Sequence, residues 1–217
     1  CLNHDIKVLV VPAYSNWTEG SFSSRQLRSI NIEELLERDP IHINNNQIRA
    51  QIKGKRVLVT GAAGSIGSEI IRQLMHYSPE LIVLCDQAET PLHTLELELQ
   101  ETGKSVNCIS YLASITNEAR MRQLFTSFKP HYVYHAAAYK HVPLMEGNPL
   151  QALLVNTWGS AQLAELSLEF GVQKFVQVST DKAVNPTNVM GASKRAAERY
   201  IQSLSNLGKT QFITTRF

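Results

Sequence analysis

Three glycines at three-residue spacing, Gly61-Ala62-Ala63-Gly64-Ser65-Ile66-Gly67, offer chemistry of a definite kind. They follow an apolar run, Arg56–Thr60, and lead into a helical pattern. Gly61 permits a tight turn, Gly64 lets the backbone approach a pyrophosphate, and Gly67 allows close helix–sheet packing. A helix starting near Ser65 and Ile66 aims free N–H groups and its positive dipole end at that anion. Asp86 ends the next apolar run. A carboxylate there accepts hydrogen bonds from ribose hydroxyls and repels a 2′-phosphate. Gln87 rather than an arginine follows it, so the pattern points to NAD over NADP. Farther on, Thr180-Asp181-Lys182 sets a hydroxyl, a carboxyl and an amine in a row, and Lys194 stands four residues after Met190. In isolation that triplet reads most simply as a strand end with solvated charges.

Regular elements must position these groups. Strand-like runs cover Arg56–Thr60, Leu81–Asp86, Val106–Leu112, Tyr132–Ala136, Lys174–Ser179 and Gln211–Thr215. Helical spacing lies between them: Leu92, Leu95 and Leu99, then Met121, Leu124, Phe125 and Phe128. Continuous apolar strands separated by amphipathic helices predict an α/β fold, a doubly wound parallel sheet covered on both faces. Its ligand site lies beyond the carboxyl ends of the strands, where Asp86 and Asp181 fall. Residues 1–50 have a different texture. Ile6 to Val11 reads as one buried strand, Ile32, Leu35 and Leu36 mark a short helix that Pro40 ends, and Asn44-Asn45-Asn46 reads as a linker. The expected division is therefore an appendage over 1–50 and a dinucleotide-binding domain over 51–217.

Of the 217 residues, 43% are hydrophobic and 18% charged, which is globular rather than disordered composition. A net charge of +2, with Lys and Arg dispersed, gives no nucleic-acid surface. Cys1, Cys85 and Cys108 form no Cys-x-x-Cys pair, so neither a disulfide framework nor a zinc site is expected. His131 and His135 flank a strand and would stand about 13 Å apart, too far for one metal. No apolar run approaches the roughly 20 residues of a membrane helix. The chain begins at Cys1 rather than Met and stops just after a strand-like run, as a piece of something longer would.

The glycine spacing resembles that of extended short-chain dehydrogenases/reductases, which carry a Tyr-x-x-x-Lys pair. Here the pair reads Met190 and Lys194. Two longer stretches, His135-Ala136-Ala137-Ala138-Tyr139-Lys140-His141-Val142-Pro143 and Ser179 through Gly191, resemble one group in particular. These are the bacterial nucleotide-sugar 4,6-dehydratases of polysaccharide biosynthesis, in the large membrane-anchored form that replaces Tyr with Met. The resemblance runs from about Leu27 to Phe217.

It implies NAD as a recycled cofactor and a UDP-sugar substrate, expected as UDP-N-acetylglucosamine. It implies a homo-oligomer whose full-length form stands at the cytoplasmic face of the inner membrane, anchored by segments outside this chain. In the implied reaction the sugar is oxidised at C4, loses its C5 proton and 6-hydroxyl, and is reduced at C6. Asp181 becomes the acid/base nearest O6, serving the 4-hydroxyl as well. Lys182 becomes the C5 base, a role that requires burial or a nearby cation. Thr180 orients the sugar, and Lys194 holds the nicotinamide ribose. Gly61, Gly64, Ser65, Ile66, Gly67 and Asp86 hold the dinucleotide, with Ala136 and Ala137 from the fourth strand's end. Where the family has an Asp near the adenine, this chain reads Ala113-Ser114-Ile115, so that contact falls to Ser114, Ile115 or backbone. The segments that grip the sugar nucleotide are expected beyond Phe217. Two rival readings remain: an epimerase of the same superfamily, which would keep the Tyr, and a non-catalytic NAD-binding module, which would have no reason to keep Thr180, Asp181 and Lys182.

Overall fold

In the computed structural model, residues 9–10, 28–29, 44–101 and 107–217 are described. The chain divides into two units, 1–44 and 45–217. In the first, Leu9–Val10 pairs antiparallel with Arg28–Ser29. The expected strand from Ile6 includes the first of these segments; its remainder, and the expected helix about Leu35, lie outside the described residues.

The second unit carries the predicted alternation. Its strands are β1 (Arg56–Thr60), β2 (Leu81–Asp86), β3 (Cys108–Leu112), β4 (Tyr132–His135), β5 (Lys174–Ser179) and β6 (Gln211–Arg216). All neighbours pair parallel, in the order β3-β2-β1-β4-β5-β6. Its helices are α1 (Asn45–Ile52), α2 (Ser65–Leu74), α3 (Glu89–Glu101), α4 (Glu118–Phe128), α5 (Val142–Glu146), α6 (Pro149–Ala152), α7 (Ser160–Glu169) and α8 (Val189–Ser203). A π-helical stretch, Leu153–Gly159, joins α6 to α7.

Both faces of the sheet are covered, so its central strands are buried nearly end to end. Leu58, Val83, Val133 and Phe175 face Met121, Leu124 and Phe125 of α4 and Leu163 of α7. Val57, Val59, Ile82 and Leu84 face Ile71 of α2 and Leu92, Leu95 and Leu99 of α3. Alternate residues of one strand thus feed two cores.

Four boundaries differ from expectation. The strand expected from Val106 begins at Cys108, with Asn107 outside it. Asn45 and Asn46, read as linker, open α1 instead. Ile48 and Ile52, one turn apart on that helix, pack on the second core, and Tyr77 donates its hydroxyl proton to Asn45 Oδ1 at 2.9 Å. Strand β4 ends at His135; Ala136 still donates to Thr60 O at 2.9 Å before the chain leaves the sheet. Strand β6 continues to Arg216, which pairs with Ser179.

The strand order reverses between β1 and β4. The loops leaving these strands turn to opposite faces and open a crevice at their carboxyl ends, where such sheets bind ligands.

Candidate functional site

The loop after β1 fills one side of that crevice. Gly61 adopts φ +68°, and a Cβ there would lie 2.5 Å from the Ala137 nitrogen. The loops after β1 and β4 can touch only because that side chain is absent. A Cβ on Gly67 would lie 2.0 Å from Gly61 O, so α2 packs directly on the turn. Gly64, Ser65 and Ile66 are exposed at the start of α2, where the first N–H groups have no intrahelical partner. Asp86 braces the loop: Oδ2 accepts from Ala63 N–H and Oδ1 from Ala88 N–H, each at 3.0 Å. An ionised carboxylate has about four acceptor positions, so capacity remains for ribose hydroxyls.

A cleft of about 150 Å³ lies here, and Gly61, Gly64, Asp86, Ile115, Ala136 and Ala137 line it. Gln87 and Tyr139 line it too, and neither is among the contacts expected from the sequence. The remaining expected contacts stand elsewhere. Ser65 and Ile66 lie beside the cleft at the helix start, and Gly67 is buried beneath the turn. The Ser114 hydroxyl is engaged with Thr116 Oγ1 at 2.9 Å. Lys194 is 5% exposed, and its ammonium donates to Val178 O at 3.0 Å. Burial pushes its pKa down to about 8, against the pull of Glu198.

These positions give a clean steric test. The nearest atom to a Cβ on Gly64 is Gly61 O at 3.2 Å, so a larger residue intrudes on the ligand's space more than on the fold. In an equilibrium titration we expect NAD to bind more tightly than NADP and Gly64→Val to abolish binding of both. Equal affinity for the two dinucleotides, or unchanged binding by Gly64→Val, would contradict this placement.

At the end of β5, Thr180 caps a 3-10 turn, Asp181–Ala183. Asp181 Oδ1 accepts three hydrogen bonds: from Thr180 Oγ1 at 2.9 Å, Lys182 N–H at 2.8 Å and Lys182 Nζ at 3.1 Å. The Lys182 ammonium, then the Thr180 hydroxyl, hold the Asp181 carboxyl below the usual carboxylate range. Both charged side chains are open, Lys182 being half exposed. The burial expected for a lysine base is therefore not provided by the described residues. Met190, on α8, is 3% exposed and packs with Met145 and Ala152.

The polysaccharide biosynthesis protein family matches residues 57–217. This chain belongs to that family. Over its whole length it is 42% identical to the capsular polysaccharide biosynthesis protein CapD of Staphylococcus aureus, of which it spans 37%. It is 32% identical, over 76% of its length, to an inverting UDP-N-acetylglucosamine 4,6-dehydratase of Campylobacter jejuni, of which it spans 48%. It also resembles a solved UDP-glucose 4-epimerase of Thermus thermophilus, in complex with NAD. The identity there is 26% and the TM-score 0.62, over 74% of this chain and 54% of that one. The chain thus spans less than half of either curated relative.

Beneath the cleft, this member of the polysaccharide biosynthesis family carries a buried polar chain that sequence reading missed. His135 is fully buried. Ser160 Oγ donates to Asn156 O at 2.7 Å and therefore accepts from His135 Nε2 at 2.8 Å. That places the imidazole proton on Nε2, and Nδ1 accepts from Thr60 Oγ1 at 2.7 Å. Burial, then the charge of Lys194, pushes the pKa of His135 down to about 3. Asn156, also fully buried, accepts from Tyr139 N–H at 2.8 Å and donates to Tyr139 O at 2.9 Å and Ser193 Oγ at 3.0 Å. The chain ties the ends of β1 and β4 to the π-helical stretch and to α8.

His131, just before β4, accepts from Arg56 N–H through Nδ1 at 3.0 Å. Among the described residues no cluster of His, Cys, Asp or Glu could hold a metal, and no helix is long and apolar enough to cross a membrane. A larger groove, about 670 Å³, lies away from the cleft between α4, the π-helical stretch, α7 and α8. Leu153, Leu154, Trp158 and Tyr200 line it and are exposed.

Proposed function

We propose that the full-length protein converts a UDP-sugar, UDP-N-acetylglucosamine, to its 4-keto-6-deoxy product, with NAD as recycled cofactor. The observation that carries this reading is the Thr180–Asp181–Lys182 turn, an acid–base pair beyond the carboxyl end of β5, beside a helix whose Met190 cannot titrate. A dehydrogenase of this superfamily would place a tyrosine there, with an ordinary pKa near 10. The dehydratase relative supports the same reaction class.

The cleft residues fit the cofactor: a backbone cradle with no side chain in the way, a helix N-terminus for the pyrophosphate, and Asp86 for the ribose. NAD held by these residues would supply the hydride acceptor for sugar C4 and the hydride donor for C6. Asp181, ionised at neutral pH, takes the proton of the 4-hydroxyl. It then delivers that proton to O6, which leaves as water. Lys182 takes the C5 proton and returns it, so both groups end as they began. Shielding of that amine from water falls to the bound sugar. Thr180 donates to Asp181 and fixes its orientation. Lys194, with two donors beyond the one spent on Val178, would hold the nicotinamide ribose.

Residues 1–44 belong, in this reading, to the end of a preceding domain and its linker. The protein works as a homo-oligomer, and the exposed apolar groove at Leu153, Leu154, Trp158 and Tyr200 supports a self-association surface. Incubating full-length protein with UDP-N-acetylglucosamine, and following the sugar by NMR, tests the activity. A 4-keto-6-deoxy product is expected. An epimer with its 6-hydroxyl intact would make the protein an epimerase, and an unchanged sugar despite bound NAD would make it a binding module.

A further inference from the structure

The stretch His141-Val142-Pro143-Leu144-Met145-Glu146 ends α5 on a carboxylate that the proposed chemistry leaves without a role. Glu146 Oε1 accepts from the Val189 backbone N–H at 2.7 Å. Val189 opens α8, and two residues on, Gly191 N–H donates to Asn188 Oδ1, also at 2.7 Å. Two side chains thus satisfy two of the first N–H groups of this helix, which have no partners inside it. A negative charge is also electrostatically favoured at that end.

The same turn of α8 meets the Asp181–Ala183 turn on its other side. A Cβ on Gly191 would lie 2.3 Å from Lys182 O, so the two backbones touch with no side chain between them. Met190, between the two anchors, is buried against Met145 of α5. A displacement of the first turn of α8 is therefore passed directly to Lys182.

We propose that Glu146 is a positioning residue: it pins the first turn of α8 to α5, and α8, through Gly191, sets where Asp181 and Lys182 stand. The inference rests on the roles proposed for that pair. Glu146 itself touches neither sugar nor cofactor and exchanges no proton; what it supplies is an acceptor oxygen.

Steady-state turnover of UDP-N-acetylglucosamine by the full-length protein tests it. Glu146→Ala should lower kcat roughly ten- to a hundredfold, the effect of misplacing a reacting group by about 1 Å, with NAD affinity unchanged. Glu146 is exposed, so this change leaves the core intact. Glu146→Gln keeps the acceptor oxygen and should restore kcat to near that of the parent. Gly191→Ala, made with Glu146 in place, should lower kcat as Glu146→Ala does, because the methyl displaces the Lys182 carbonyl. Full activity in Glu146→Ala or in Gly191→Ala overturns the proposal. So does an equal loss in Glu146→Ala and Glu146→Gln, which would make the carboxylate a proton carrier. Asp181→Asn, measured alongside, separates the two levels of the argument. If it keeps full activity, the roles given to the pair are wrong. If it is inactive while Glu146→Ala is not, only the positioning role falls.

Discussion

Asp181→Asn is expected to lower turnover of the full-length protein by about 10²–10⁴-fold while leaving NAD binding intact, the range that a general acid–base group contributes. Asparagine is nearly the same shape and keeps an oxygen for the three donors now on Oδ1. What it loses is the capacity to take and give a proton. Lys182→Met should fall in the same range, since it keeps the aliphatic stem and removes the amine. Met190→Leu should cost little, because its side chain fills a small apolar cluster and a volume-conserving swap there is tolerated. The ordering is decisive. Kinetics in which Met190→Leu is as damaging as Asp181→Asn, or in which Asp181→Asn stays near full activity, would refute this division of labour.

The second large effect concerns stability rather than rate. His135 is held neutral in the folded protein, with a pKa of about 3, whereas an unfolded histidine titrates near 6.5. Above pH 6.5 both states are neutral and the group contributes no pH dependence. As pH falls from 6.5 toward 3, only the unfolded state takes up the proton. The folded state therefore loses about 1.4 kcal/mol for each pH unit in that window. Denaturant unfolding at pH 6.5 and pH 4.5 measures the slope directly. His135→Gln removes the titration and should flatten that part of the curve, although it starts from a lower stability because Thr60 or Ser160 loses its partner. Parallel curves for parent and variant would show that His135 does not carry the acid sensitivity.

Much of the molecule is legible in its sequence, for identifiable reasons. Strands buried on both faces must be apolar throughout, so Val57–Thr60 and Leu81–Cys85 announce themselves. The glycine loop is equally plain, because backbone contact at Gly61 and Gly67 forbids any other residue. Helix α1 was obscured because three asparagines in a row carry turn chemistry, and the only contrary signal is Ile48 with Ile52. The network through His135, Ser160, Asn156 and Ser193 is a different case. Its hydrogen-bonded pairs lie up to 37 residues apart and carry no local pattern. Nothing in a histidine's neighbours tells whether its nitrogens meet a hydroxyl or a metal; only the packed fold does. The same holds for Lys182, whose exposure depends on what surrounds the turn and not on the apolar strand before it.

Asp86 carries one more consequence. The carboxylate proposed to choose between the two dinucleotides also holds the glycine loop by the Ala63 amide. On that proposal, cofactor choice and loop shape are not independent variables in this protein. An exchange at Asp86 for a basic residue, the obvious move toward a phosphorylated ribose, would release the loop in the same stroke. A drift in cofactor usage along this lineage would have to pass through a residue that still accepts a hydrogen bond, such as asparagine or serine, before any positive charge could be gathered nearby.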